Sequence, residues 1–284
     1  MSVSRRRFLI GSGAAAAGLA LYSGEVGRHE IDIVRRTVAI DNLPAPFHGY
    51  TVAQISDIHL DEYTEPYFLE RIVGQVNALK PDLALLTGDF VTRGIYSMFA
   101  ARNAAYRCAE IVSTLDAPLR YACLGNHDVT VSAPLVIEAL TSHGTPVLVN
   151  QHIAIERGGE RLWLAGVDDP GTRHPDLNLA VPDNPGAPVI LMAHEPDYAD
   201  TVVRHPRFPL VDLMLAGHSH GGQIRLPFLG ALVLPPMGEK YVEGYFRFER
   251  MQLYVNRGIG TVGVPFRLNC PPEITLLTLQ PAKS

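Results

Sequence analysis

The chain has 284 residues, of which 47% are hydrophobic and 19% are charged, a balance that suits one globular domain with a full core. The formal net charge of -5 argues against a nucleic-acid partner, because affinity for nucleic acid depends on clustered positive charge. The three cysteines, Cys108, Cys123 and Cys270, lack metal-binding spacing and cannot all pair internally, so we expect buried thiols.

The N-terminus has a composition of its own. Residues 4–9 read S-R-R-R-F-L, and an apolar stretch rich in glycine and alanine continues to Tyr22. A basic segment followed by a short apolar one is typical of an export signal, and this one resembles the twin-arginine signal, whose translocation machinery carries folded proteins. No clear cleavage site follows. We therefore expect residues 1–29 to be a signal that is either removed or kept as a membrane tether, and the protein to work on the periplasmic or extracytoplasmic face.

From residue 30 onward, short apolar runs alternate with helix-length patterns, which predicts an α/β domain over residues 30–284. A strand-like alternation begins at Ile31. The further predicted strands are Thr51–Ile55, Leu83–Leu86, Arg120–Leu124, Leu162–Ala165, Val189–Met192, Val211–Leu215, Leu253–Val255 and Ile274–Leu279. The predicted helices are Pro66–Leu79, Ser97–Leu115, Ala133–His143 and Asp197–Val203. The segment from Pro182 to Pro236 is rich in proline and glycine and is expected to form loops and hairpins.

Five of the predicted strands end in a cluster of polar residues. The clusters are Ser56-Asp57-Ile58-His59, Thr87-Gly88-Asp89, Gly125-Asn126-His127-Asp128, Ala193-His194-Glu195 and Ala216-Gly217-His218-Ser219-His220. One such cluster alone would indicate a turn, since Gly, Asn and Asp are common turn residues. Five in succession indicate a site, because the carboxyl ends of strands form the ligand crevice of open α/β sheets.

The residue types in these clusters are metal ligands. Carboxylate and amide oxygens beside neutral imidazoles suit Mn, Fe or Zn, and the clusters contain no thiolate. Asp57 and His59 are two residues apart, so both point to one face of an extended strand. The same holds for His218 and His220. A carboxylate between two ions can bridge them, and Asp89 is the natural bridging residue.

The order of these blocks resembles the five signature blocks of the calcineurin-like metallophosphoesterases, over residues from about 50 to 280. Three later blocks, Gly238–Tyr241, Asn256–Gly260 and Cys270–Glu273, are similar to the twin-arginine-exported, YkuE-like branch of that superfamily. The resemblance implies a four-layer αββα fold, in which helices flank a β-sandwich. It also implies a dinuclear site, with two divalent metals at the carboxyl ends of the strands.

The resemblance implies a role for each site residue. It assigns to one metal the residues Asp57, His59, Asp89 and His220. It assigns to the other metal the residues Asp89, Asn126, His194 and His218. His127 matches a catalytic histidine that does not bind metal, and the adjacent Asp128 either orients His127 or closes the turn.

One block differs from the corresponding block in two groups of this superfamily. Residues 88–94 read G-D-F-V-T-R-G and resemble the phosphoprotein phosphatase block G-D-x-x-D-R-G, but Thr92 replaces the second aspartate. That aspartate steadies the catalytic histidine, so protein phosphatase activity is disfavoured. Purple acid phosphatases require a tyrosine there, which excludes their iron-phenolate site. Arg93 is either a contact for substrate phosphate or a solvated loop arginine.

The expected function is hydrolysis of a phosphoester, of the phosphodiesterase or pyrophosphatase type. Hydroxide bridging two metals would attack phosphorus, and His127 would act as the general acid. A cyclic-nucleotide or nucleotide phosphodiesterase is an alternative, although an exported protein would not meet an intracellular second messenger. A non-catalytic binding module on the same fold is a second alternative, against which the full set of ligands argues.

The segment Gly221–Pro236, which follows His220, is strongly apolar and contains glycine and proline breaks. Most apolar runs are buried, so a core hairpin is the simplest interpretation. The alternative is an exposed apolar lip beside the metals that meets acyl chains at a membrane surface. In that case the substrate would be a phosphoester in a lipid head group rather than a soluble small molecule.

Overall fold

The computed structural model describes residues 5–61, 63–92, 94 and 98–282, and its elements alternate along the chain. The first half contains α1 (Arg5–Leu21), β1 (Asp32–Ile40), β2 (Thr51–Ile55), α2 (Pro66–Leu79), β3 (Leu83–Thr87), α3 (Met98–Ser113), β4 (Leu119–Cys123) and α4 (Asn126–Ser142). The second half contains β5 (Gln151–Arg157), β6 (Glu160–Gly166), α5 (Leu177–Ala180), β7 (Val189–Met192), α6 (Ala199–Arg204), β8 (Leu213–Ala216), β9 (Arg225–Leu226), β10 (Gly230–Ala231), β11 (Gly244–Arg247), β12 (Gln252–Val255) and β13 (Glu273–Pro281).

The strands form two large sheets and one small hairpin. The first sheet has the order β1-β13-β2-β3-β4, the second has the order β11-β12-β8-β7-β6-β5, and β9 pairs with β10. Strands β2, β3 and β4 are parallel, and so are β6, β7, β8 and β12. The carboxyl ends of the parallel strands therefore meet at one edge of each sheet, where the predicted site residues follow.

Three apolar cores separate four layers. Helices α2, α3 and α4 cover the outer face of the first sheet, the two sheets pack against each other, and α5 and α6 cover the outer face of the second sheet. Alternate residues of β2 enter different cores: Val52 lies between the sheets and Ile55 lies under the helices. Burial on both faces explains why the central strands read as continuous apolar runs. The predicted αββα fold is confirmed.

Two strands and one helix start differ from the prediction. Strands β5 and β11, which were not predicted, lie at the two edges of the second sheet and are largely half-buried or exposed, so their apolar pattern is weak. Helix α4 begins at Asn126 and kinks at Ser132, whose φ and ψ are not helical, so the predicted helix Ala133–His143 is its second part and the first turn was not predicted. Gly125 precedes it as the N-cap, and the carboxylate of Asp128 accepts the Gly125 N–H, so residues that favour a turn here start a helix.

The apolar segment after His220 is a hairpin with an exposed tip. Strands β9 and β10 flank the turn Pro227–Leu229, in which the side chains of Phe228 and Leu229 are 108% and 76% exposed. The core interpretation of this segment was therefore wrong at its tip.

The three cysteines are buried free thiols, as expected.

Among the helices that the structure describes, none combines the length and the apolar character that a membrane crossing needs.

Candidate metal centre

The backbone turns sharply where the strands deliver the predicted ligands. Five of these residues have a positive φ, namely Asp57 (51°), His59 (48°), Asp89 (57°), His218 (70°) and His220 (51°). A non-glycine residue in this region costs about 1–3 kcal/mol, and such strain concentrates at functional sites. The turns direct consecutive polar side chains from both sheets into one small volume.

Two glycines allow the loops to approach the carboxylates closely. A Cβ atom on Gly125 would lie 2.3 Å from Oδ1 of Asp89, and one on Gly217 would lie 2.3 Å from Oδ2 of Asp57. Any other residue at either position would displace a carboxylate. Only glycine therefore fits at the first position of the G-N-H-D and G-H-S-H segments.

The predicted ligands converge in two adjacent groups, each with ligand atoms within 4.8 Å of one another. The first group is Asp57, His59 and His220, and the second is Asp89, His194 and His218. Asp89 Oδ2 lies 3.5 Å from His59 Nε2 and 3.2 Å from His194 Nε2, so it stands between the groups. A carboxylate that bridges two ions needs this position.

Hydrogen bonds orient two of the imidazoles towards the centre. His194 Nδ1 lies 2.7 Å from the carbonyl oxygen of Thr87, which can only accept, so Nδ1 carries a proton and Nε2 faces the centre. His218 has the opposite arrangement, because its Nε2 donates to the carbonyl of Pro236 at 2.9 Å and leaves Nδ1 as the ligand atom. Such outer hydrogen bonds fix the tautomer of metal-binding histidines.

The electrostatics of the centre favour added positive charge. Burial lowers the pKa of His59 well below its ordinary value and that of His220 to about 4, so both rings are neutral. Burial also acts to lower the pKa of His194, but the carboxylates of Asp89 and Asp57 outweigh it and raise that pKa well above the ordinary value. The two carboxylates thus attract a cation at the point that His194 Nε2 faces.

Unpaired polar atoms fit the same conclusion. His59 Nε2 and His220 Nε2 are 3.1 Å apart, and two neutral imidazole lone pairs repel at that distance unless a proton or a cation lies between them. In the described part of the chain, the buried atoms Asn126 Oδ1 and His194 Nε2 have no hydrogen-bond partner. Buried polar atoms rarely stay unpaired, so this donor set fits metal ions.

His127 lies beside the two groups and outside them. Its backbone N–H donates to Asp89 Oδ1 at 2.9 Å, and its half-buried ring packs edge-on against the ring of His59, with centroids 4.8 Å apart. A cavity of about 450 Å³ opens beside the ligand groups, and its lining includes Asp89, Asn126, His127, His218 and His220. The cavity is also lined by five aliphatic side chains, which we call the aliphatic wall: Ile224, Leu232, Val233, Val262 and Val264.

Residues 50–222 match the profile of the calcineurin-like phosphoesterase family. The chain belongs to this family. It is 34% identical to the uncharacterized metallophosphoesterase YkuE of Bacillus subtilis, over 98% of each chain. It is 33% identical to the phosphodiesterase YaeI of Escherichia coli, over 98% of this chain and 99% of YaeI. It is 31% identical to the UDP-2,3-diacylglucosamine pyrophosphatase LpxG of Chlamydia trachomatis, over 87% of this chain and 90% of LpxG.

Among solved structures, the NAD nucleotidase NadN of Haemophilus influenzae has a TM-score of 0.50 and 16% identity to this chain. The match covers 72% of this chain and only 44% of NadN, and it concerns the fold alone. Family membership confirms the expected superfamily and makes this protein a hydrolase of phosphoric ester bonds. With the two ligand groups, it supports two divalent metal ions in the phosphoesterase.

Asp128 anchors the turn that carries the bridging residue of this phosphoesterase. Its buried carboxylate accepts the backbone N–H groups of Asp89 (2.8 Å), Phe90 (2.8 Å), Val91 (3.2 Å) and Gly125 (3.0 Å). Burial and the Asp89 carboxylate raise the pKa of Asp128 to about 8, whereas these donors act to lower it. All four contacts are donors, so the ionised form satisfies them. Asp128 closes its own turn and also holds the Asp89 turn.

Two contacts were not foreseen from the sequence. The Thr92 hydroxyl lies 2.9 Å from His59 Nδ1, so it fixes the orientation of a predicted ligand, whereas the sequence analysis considered only the aspartate that it replaces. The carbonyl of Pro236, which holds His218, carries no sequence signal because every residue has one. Arg93, the tentative phosphate contact, lies outside the described residues.

Arg267 orders a glycine-rich loop beside the centre. Its fully buried guanidinium donates to the carbonyl oxygens of Arg257, Gly258, Gly260 and Cys270. These bonds tie down the loop 257–260, whose backbone N–H at residue 260 donates to the Asp57 carbonyl at 2.8 Å. Arg267 therefore supports the turn that carries Asp57.

Asp128→Asn is expected to destabilise the phosphoesterase and weaken its metal binding. The new amide would point N–H groups at backbone N–H donors, and each buried donor left unpaired costs about 1–3 kcal/mol. The free energy of unfolding, measured by chemical denaturation, should fall by at least that much. Metal content after dialysis should fall below that of the parent, because the Asp89 turn loses its anchor.

Asp176→Asn provides the control, since Asp176 also accepts backbone N–H groups but does so at the start of α5. This variant should keep its metal content. A full complement of metal in Asp128→Asn would contradict the anchoring role of Asp128.

Proposed function

We propose that this phosphoesterase hydrolyses a phosphodiester or pyrophosphate bond in a lipid head group. The observation that carries the proposal is the contrast between the two walls of the cavity, one with the ligand groups and one with five aliphatic side chains. Such a cavity suits a phosphoester that lies next to an apolar group. The 31% identical relative LpxG is a pyrophosphatase for UDP-2,3-diacylglucosamine, a compound with two acyl groups, which supports this substrate class.

The metals would be Mn, Fe or Zn, because the donors combine carboxylate and amide oxygens with imidazoles. One ion would be held by Asp57, His59, Asp89 and His220. The other would be held by Asp89, Asn126, His194 and His218. When bound, two such ions would act as Lewis acids on the phosphoryl oxygens and make hydroxide available from water at neutral pH.

His127 would supply the proton for the leaving group. His127 lines the cavity beside the ligand groups and is a member of neither group. Proton donation to the leaving oxygen avoids release of a high-energy alkoxide. The backbone N–H of His127 binds Asp89 Oδ1, so the position of the acid is coupled to that of the bridging carboxylate.

Hydrolysis of a cyclic nucleotide or another nucleotide is the second candidate, favoured by the phosphodiesterase name of the relative YaeI. The lining of the cavity argues against it. Outside the ligand groups, Asn126 and His127, its polar side chains are Ser219 and Gln223, and both already bond to backbone carbonyls. A non-catalytic binding module is disfavoured because every expected ligand type is present at its position.

We also propose that residues 1–29 direct export through the twin-arginine pathway, with residues 30–284 as the phosphoesterase domain. The protein would then work on the periplasmic or extracytoplasmic face. Support comes from the arginine pair, Arg5 and Arg6, followed by an apolar stretch. Folded export suits a metalloenzyme, because the chain can take up its metals before it crosses the membrane.

His127→Ala is expected to lower kcat by about 10²- to 10⁴-fold for substrates with an alkyl leaving group. The loss should shrink for nitrophenyl esters, because nitrophenolate leaves without a proton. Metal analysis should still find about two ions per chain.

His152→Ala, which removes a histidine on β5, is the control and should leave both activities unchanged. Equal losses for alkyl and nitrophenyl leaving groups would contradict the acid role of His127.

Leu232→Ser combined with Val233→Ser tests the substrate class. Both residues belong to the apolar wall, and replacing two aliphatic contacts should lower the kcat/KM ratio of a diacyl phospholipid to bis-nitrophenyl phosphate by about tenfold or more. The Leu179→Ser variant changes an exposed leucine on α5 and should leave the ratio unchanged. A parent enzyme that prefers soluble nucleotides to lipid would favour the second candidate instead.

Arg5→Lys combined with Arg6→Lys is expected to retain the protein in the cytoplasm, because the translocation machinery reads the arginine pair. Cell fractionation measures this outcome. A matched control is available in the chain: Arg35→Lys with Arg36→Lys changes an arginine pair in β1 and should not affect export. Unimpaired export of the first variant would overturn the signal.

A further inference from the structure

Two segments that are distant in sequence line the mouth of the cavity. They are residues 224–238, which contain the β9–β10 hairpin, and residues 259–269; together we call them the apolar rim. A backbone hydrogen bond joins them. The N–H of Arg225 donates to the carbonyl of Leu268 at 2.9 Å. The rim also contains the aliphatic cavity wall.

The apolar rim carries a group of exposed large apolar side chains. Five of the fifteen such residues in the described part of the protein lie in its two segments. They are Phe228, Leu229, Leu232, Val233 and Val264. Single exposed apolar residues are ordinary, but a contiguous patch of this kind marks an interaction surface.

The tip of the hairpin is held outward at a cost. Phe228 is 108% exposed and has a φ of 68°, a conformation that is strained for a bulky side chain. Leu229, next to it, is 76% exposed. In water, both the exposure and the backbone strain are unfavourable. The exposure becomes favourable only when the tip enters an apolar phase.

The rim segments carry no negative charge. The chain has 29 acidic residues among 284, yet neither rim segment contains an aspartate or a glutamate. An apolar surface without negative charge avoids repulsion from lipid head groups. A protein partner would more often be matched by polar contacts around an apolar centre.

We propose that the apolar rim docks on a lipid bilayer, with Phe228 and Leu229 inserted among the lipids and the cavity opening towards them. Docking requires insertion of side chains only and does not require a helix that spans the bilayer. Binding does not depend on hydrolysis, but its purpose rests on the proposed function. A lipid substrate would enter the cavity along the aliphatic wall, without passing through water.

The test compares vesicle binding of full-length protein variants by co-sedimentation. Phe228→Ser with Leu229→Ser is expected to reduce partitioning into phosphatidylglycerol vesicles by about tenfold or more, because two apolar anchors are lost. Leu179→Ser, which removes another exposed leucine outside the rim, should bind like the parent.

Turnover of bis-nitrophenyl phosphate by the tip variant should match that of the parent, which shows that the variant is folded. Parent-like vesicle binding by the tip variant would overturn the proposal. So would a parent protein that ignores vesicles and elutes as a dimer through this surface. If the parent binds vesicles but hydrolyses no phosphoester, the proposed function fails and the docking proposal stands. If the parent hydrolyses phosphoesters but does not bind vesicles, the docking proposal fails and phosphoester hydrolysis stands.

Discussion

Two buried carboxylates set the conditions for the rest of this fold. Asp57 and Asp89 are at most 1% exposed and lie where the two sheets meet, and no lysine or arginine of the described chain pairs with either. An isolated buried charge costs several kcal/mol. The strained turns, the close glycines and the converging imidazoles are arranged around these two groups, and their negative charge is what attracts the metal ions.

Backbone N–H groups stabilise the two buried carboxylates even without a bound cation. The N–H of His218 donates to both oxygens of Asp57, and the N–H of His127 donates to Asp89. Each carboxylate is therefore fixed by a residue from another metal-site loop. The loops cannot shift independently, because moving one removes a donor from the carboxylate of its neighbour. This mutual support explains how short turns at strand ends keep a geometry that the backbone alone disfavours.

The sequence predicted the fold and the ligand groups well because both follow local rules. Buried parallel strands are continuous apolar runs, and ligand types recur at their carboxyl ends. The start of α4 was missed because Gly125 and Asp128 favour turns and helix caps alike. The edge strands β5 and β11 were missed because most of their residues are half-buried or exposed, which leaves only a weak apolar pattern. Thr92 was not recognised as a support because its contact to His59 depends on tertiary structure.

The exposed hairpin could not be inferred from composition, since an apolar run has the same pattern whether it is buried or exposed. Its position nevertheless links recognition to chemistry. After His220 the chain contributes Ile224, Leu232 and Val233 to the aliphatic wall and reaches Pro236, whose carbonyl holds the imidazole of His218. The segment therefore begins at one predicted ligand and ends at a residue that orients another. In the proposed function, a lipid that moved the hairpin would also move the carbonyl that holds His218, so substrate recognition and the position of a metal ligand would be linked.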